Sequence, residues 1–129
     1  MKRAFVATTA VLVVTAAHAQ SKSEIAQNEA VYRTKCASCH SVACNRNGPK
    51  LESVIGRTAG GVADFKHYTS ALKDSGIVLT KAEIDAYIQD PARKIPGTAM
   101  SSGTMPNARE RKAVIAHIRR QDKSIDLCT

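Results

Sequence analysis

Apolar residues recur at helical spacing in three stretches of this chain, separated by a long aperiodic middle. Ser21-Lys22-Ser23-Glu24 is a capping-box pattern, and Ile25, Ala26, Val31 and Tyr32 follow as an apolar stripe. That predicts a helix running up to Cys36. Ser41 to Tyr68 shows no period; Gly48-Pro49, Gly56 and Gly60-Gly61 are turn signals, and Val54 and Ile55 are its main apolar anchors. A loop this long is uncommon in a compact domain unless it has work to do, such as wrapping the edge of a cofactor. Thr69 to Asp74 reads as one short helix ending before Gly76. Thr80-Lys81-Ala82-Glu83 is a second capping box, with Leu79 and Ile84 placed as a hydrophobic staple. Ile84, Tyr87 and Ile88 share one face of that helix, which Pro91 should stop. Pro96-Gly97 opens a loop carrying Met100 and Met105, and Asn107 caps a last helix with Ala113, Val114, His117 and Ile118 as its buried stripe. No strand alternation and no internal repeat occurs, so the expected class is all-α, a small single domain of helices and loops.

The first residues read differently. Lys2 and Arg3 precede an uncharged, mostly apolar run from Ala4 to Ala17, too short to span a bilayer, and Ala17-His18-Ala19 fits a small-x-small cleavage site. The expectation is a secretory signal peptide over residues 1–19, removed, and a mature domain over 20–129. Its 110 residues keep 17 of the 19 basic residues and all 11 acidic ones, for a net charge of +6. No other run could cross a membrane, so stable insertion after cleavage is not expected. Export, with no dense basic run interleaved with aromatics, argues against nucleic acid and for acidic protein partners. Aromatic residues make up only 4% of the chain and Trp is absent, and a large apolar cofactor would offset that deficit in the core.

Four cysteines stand at 36, 39, 44 and 128. Cys36-Ala37-Ser38-Cys39-His40 reads C-x-x-C-H, the attachment signature of c-type haem. Each thiol adds to one vinyl group of the haem, and the next residue turns its imidazole under the iron, so His40 becomes an axial ligand. A thioredoxin-like pair would sit in a βαβ context, and a zinc site would need further ligands at metal spacing; neither pattern is present. An oxidising compartment favours a Cys44–Cys128 disulfide over two free thiols. Besides the initiator, Met100 and Met105 are the thioethers available for the sixth iron position.

Ile95-Pro96-Gly97-Thr98-Ala99-Met100 resembles the I-P-G-T-x-M segment of class I cytochromes c, of the bacterial cytochrome c2 and mitochondrial kind. The resemblance covers nearly the whole mature chain. It implies a class I cytochrome c fold and points to Met100, the residue closing that segment, as the second axial ligand. Asn47-Gly48-Pro49 resembles the family segment whose Pro carbonyl orients the ligand imidazole, which gives Pro49 that role. Gly56-Arg57 and Tyr68-Thr69-x-Ala71 resemble the stretches whose Arg and Tyr reach a haem propionate, and Tyr87 resembles the Tyr near the Met ligand. Four positions depart from the family: Leu79 stands where many members have a propionate-binding Trp, Ser102 replaces a shielding Phe, and Asn28 and His117 replace the usual Gly and aromatic of the helix contact. A hydrogen bond between Asn28 and His117 is the expected substitute.

The functional expectation is a soluble, monomeric periplasmic carrier with one haem c, moving single electrons between acidic respiratory or photosynthetic redox partners. Lys35, Arg46, Lys50, Arg93 and Lys94 flank the haem-binding segments and are expected to ring the exposed edge. The competing readings are a haem peroxidase or gas sensor with a labile sixth ligand, and a haem-free thiol–disulfide oxidoreductase.

Overall fold

The computed structural model describes residues 19–121 together with Lys123 and Cys128; the expected signal peptide, apart from Ala19, lies outside the described residues. Five helices follow in order: α1 Lys22–Lys35, α2 Ser70–Lys73, α3 Lys81–Gln89, α4 Pro91–Lys94 and α5 Ala108–Arg119. Among the described residues the only β structure is one isolated bridge between Thr58 and Val78. No described helix is long and apolar enough to cross a membrane.

Side-chain oxygens start every helix. Ser21, Thr69, Thr80 and Asn107 each accept from backbone N–H groups in the first turn, satisfying donors that the helix itself leaves unpaired. Pro91 does end α3, but it also begins α4: Asp90 closes one helix and its side chain caps the next, accepting from Arg93 N–H. Pro at the first helical position gives up no bond, since that N–H has no partner in the helix.

α5 packs across α1 and also against α3. Tyr32, Val42, Val54, Ile84, Ile88, Met105, Val114 and Ile118 form one buried cluster from these helices and the loops. Two expectations are corrected here. On α1 the buried residues are Asn28 and Tyr32, whereas Ala26 is exposed and Ile25 and Val31 are half-buried. And Asn28 Nδ2 is buried with no hydrogen-bond partner, so it makes no bond to His117, which instead stacks on Tyr32 with ring centroids 4.4 Å apart. Ring stacking therefore builds the α1–α5 contact.

The segment from 41 to 68 is irregular but not superficial. Val42, Val54, Ala59, Val62 and Phe65 are all buried. The loop closes on itself through Leu51 N–H to Ser41 O and Glu52 N–H to Val42 O, both 2.8 Å.

Candidate functional site

The C-x-x-C-H segment leaves α1 as a hydrogen-bonded turn. Cys36 and Ala37 N–H both reach Tyr32 O, at 2.8 and 3.1 Å, and Cys39 and His40 N–H both reach Cys36 O, at 3.0 and 2.8 Å. This winding brings both sulfurs and the imidazole to one end of α1. Arg46 braces the turn by donating to Ala37 O, and Gly48 N–H donates to Cys39 O at 2.8 Å.

Gly48 lies flat against the imidazole. A Cβ there would sit 2.2 Å from His40 Cε1, so no side chain fits. His40 Nδ1 is 2.8 Å from Pro49 O. A carbonyl only accepts, so Nδ1 carries the proton and Nε2 is left as the coordinating nitrogen. Burial pushes the His40 pKa down, assisted by the nearby Arg57 charge and opposed by the Pro49 bond. The neutral ring that results is the form a metal takes.

Cys36 and Cys39 are not paired with each other. Burial, and secondarily the neighbouring Cys39, pushes the Cys36 thiol up to about 12. A redox-active C-x-x-C depends on a lowered thiol pKa, so this environment disfavours the thioredoxin-like reading. Zinc fares no better: among the described residues no group of three or more His, Cys, Asp or Glu side chains gathers as a metal site.

On the other side, α3 and the loop after α4 are joined by side chains. Tyr87 and Thr98 share a hydrogen bond through their hydroxyls, and Met100 N–H donates to Thr98 Oγ1 at 3.3 Å. Burial raises the Tyr87 pKa, so it remains a neutral phenol able to donate. The two methionines separate clearly. Met105 is buried in the core, its N–H bonded to Ile88 O at 2.8 Å. Met100 is half-buried and packs against the same core from its edge.

Arg57 donates to Glu52 O at 2.8 Å and to Lys50 O at 3.0 Å, yet its Nε is buried without a partner. Tyr68 lies near enough to affect the Arg57 pKa, and its hydroxyl accepts from Val62 N–H at 3.3 Å. An unsatisfied guanidinium N–H beside a phenol is a fitting place for a carboxylate to come. The imidazole cradle, the two unpaired sulfurs, the half-buried thioether and this donor together suit a haem with its propionates.

The Cys44 and Cys128 sulfurs lie 2.17 Å apart, with Cα atoms at 5.8 Å. Four of the cations expected at the exposed edge are ion-paired. Lys35 pairs with Glu110 at 3.5 Å, Lys50 with Asp64 at 3.3 Å, Arg93 with Asp90 at 3.6 Å and Lys94 with Glu83 at 2.8 Å. None of these four is a bare charge. The residue that sequence reasoning missed is Arg111, a buried cation bound to Asp85 and to the Met100–Met105 loop. Its signal was its place on the α5 face, three and seven residues before Val114 and Ile118.

Comparison with known proteins points the same way. The family model described as Cytochrome c matches residues 25–122. A cytochrome c2 of Rhodoplanes tepidamans is 42% identical over 92 residues, covering 69% of this chain and 85% of that protein. Cytochrome c 2.1 of Caenorhabditis elegans is 40% identical over 90 residues, covering 68% of this chain and 80% of that protein. The solved structure of cytochrome cH from Methylobacterium extorquens aligns with a TM-score of 0.69 at 31% identity, covering 74% of this chain and 97% of that one.

Proposed function

This chain belongs to the cytochrome c family, and we propose that its mature form, residues 20–129, is a periplasmic electron carrier whose haem iron is held by His40 and Met100. Members of the family carry one covalently attached haem c and transfer electrons; they are not enzymes. The observation that carries the reading is the 2.8 Å contact from His40 Nδ1 to Pro49 O, which reserves Nε2 for iron directly beside Cys36 and Cys39.

When bound, haem c supplies a one-electron ferric/ferrous couple. The chain's residues hold and tune it. Cys36 and Cys39 fix the cofactor edge through thioethers, with Cys39 exposed and Cys36 half-buried, so the attachment end meets solvent. Pro49 and Gly48 fix the angle of the imidazole. The Met100 thioether, a soft ligand, favours the ferrous state. Thr98 and Tyr87 hold the backbone of Met100 in place. Arg57 and Tyr68 receive a propionate. The apolar cluster behind Cys36 and Met100 keeps out water and so disfavours the extra charge of ferric haem.

The partners are acidic redox proteins. With Lys35, Lys50, Arg93 and Lys94 each in an ion pair, the chain steers them by its summed field rather than by these four charges alone. Transfer to such a partner should slow as salt rises, and a rate insensitive to ionic strength would refute steering. Residues 1–19 are a cleaved signal, which N-terminal sequencing of the exported protein reads directly. Cys44 and Cys128 form a disulfide, and two alkylatable thiols in the unreduced holoprotein would sink that assignment.

The decisive test is optical. Protein matured with haem in a periplasm should give sharp reduced bands and the weak ferric band of Met-sulfur ligation, lost in Met100→Ala. Haem without that band would favour a peroxidase or sensor with an open sixth position. Failure to attach haem covalently would remove the carrier reading altogether.

A further inference from the structure

Among the described residues Arg111 is the single Lys, Arg, Asp or Glu that is buried, its side chain 8% exposed. A guanidinium so placed is costly unless its donors are met. Three hydrogen bonds from it reach two other parts of the fold. Nε donates to Asp85 Oδ1 on α3 at 3.0 Å. One terminal nitrogen donates to Met105 O at 3.0 Å and to Pro106 O at 2.7 Å. The side chain itself belongs to α5.

The loop so gripped is the one that carries Met100. Its first anchor is Thr98, tied to Tyr87 of α3. Its last is Met105, tied to Ile88 of α3 through its N–H and to Arg111 through its carbonyl. Both ends are therefore referred to one helix, at Tyr87 for the start and at Ile88 and Asp85 for the end. Arg111 is the bond that brings Asp85 into this arrangement.

We propose that Arg111 is a positioning residue for the distal iron ligand: by clamping the end of the Thr98–Pro106 loop to α3, it keeps the Met100 thioether on the iron. The inference rests on the reading of Met100 as that ligand. Removing the guanidinium leaves two carbonyls and one carboxylate without their donor. The end of the loop is then released, and an added ligand competes with Met100 on better terms. The imidazole side is untouched, because Arg111 makes none of the bonds that hold His40.

The test is the affinity of ferric holoprotein for imidazole, followed by loss of the Met-sulfur band. Arg111→Gln should bind imidazole about tenfold more tightly than wild type, the factor expected from losing charge-assisted bonds. Arg111→Lys, which keeps the charge but not the fork, should fall between. Asp85→Asn keeps an acceptor and loses the charge, and should give a smaller increase. Ile118→Val, destabilised in the core of the same helix, controls for general loosening and should bind as wild type does. Arg111→Gln within twofold of wild type would overturn the clamp. So would an equal gain in Ile118→Val at equal loss of unfolding stability. If Arg111→Gln does not fold, Asp85→Asn decides, and an unchanged affinity overturns the clamp. A normal band in wild type that survives Met100→Ala would instead overturn the ligand reading, and the clamp with it.

Discussion

Gly48→Ala tests the proximal architecture with a single methyl group. Gly48 has no positive φ, so alanine is acceptable to the backbone there and any effect must be steric. The added Cβ would stand 2.2 Å from His40 Cε1, 2.6 Å from Nδ1 and 2.7 Å from Nε2, where ordinary contact begins at 3.4 Å. The ring must retreat by about 1.2 Å. A shift of this size exceeds the tolerance of the 2.8 Å hydrogen bond to Pro49 O. Overpacking of this kind costs about 1–3 kcal/mol, and a half-buried carbonyl left without its donor adds about 1 kcal/mol. The expected loss is therefore about 2–4 kcal/mol in denaturant unfolding of the ferric holoprotein. The displaced imidazole should also weaken its bond to iron and raise the high-spin fraction of the optical spectrum. A Gly48→Ala protein within about 0.5 kcal/mol of wild type, with an unchanged spectrum, would refute the reasoning, since a surface change alone lies in that range.

The two methionines should respond in opposite ways. Met105→Ala removes a buried core side chain and should cost about 2–5 kcal/mol while keeping the Met-sulfur band; its disappearance in this variant but not in Met100→Ala would reverse the assignment. Asp64 gives a pH dependence. Hydrogen bonds from Asn45 and Lys50 hold its carboxyl below the usual value. Its contribution is then present above the unfolded pKa, near 4, and lost as pH falls through the depressed folded value. Asp64→Asn should flatten the acid limb of the stability curve, an effect that salt diminishes because the group is exposed. Identical acid limbs for variant and wild type would show that the carboxylate is not engaged.

Legibility of the chain followed the physics of each signal. Ser21, Thr80 and Asn107 were readable because caps act locally, on N–H groups two or three residues away. α4 was not, because Asp90-Pro91 carries two signals at once: the proline ends the helix before it and suits the first position of the helix after it. α1 misled in another way. Its apolar positions suggested one face, and the face α5 covers holds Asn28 and Tyr32, since the partner surface presents the His117 ring. In the segment from 41 to 68 no period exists to be read. Val42, Val62 and Phe65 are buried by where the loop is carried, which is a tertiary matter. Motifs named the candidate site residues, and their surroundings were less legible. Arg111 shows why: a cation is read as surface by default, and only its register with Val114 and Ile118 placed it inside.

The two sides of the site differ in how far along the chain their supports reach. Around His40 the holding bonds are local: Tyr32 hydroxyl to His40 O, His40 Nδ1 to Pro49 O, and Gly48 N–H to Cys39 O span eight or nine residues. Around Met100 they reach further, from Tyr87 to Thr98, from Ile88 to Met105 and from Asp85 to Arg111, the last across 26 residues. Local contacts cost less loop closure, whereas the distal set depends on α3, the Met loop and α5 being docked together. On the proposed ligation, thioethers would add to this difference, since Cys36 and Cys39 would tie the proximal turn covalently while Met100 would be held by coordination alone. Partial opening should therefore release the distal loop first, with His40 still seated. Hydrogen exchange of the holoprotein measures this directly: Met100, Gly103 and Met105 amides should open at lower free energy than those of His40 and Gly48. The reverse order would mean that covalent and short-range support does not set the ranking of stability in this fold.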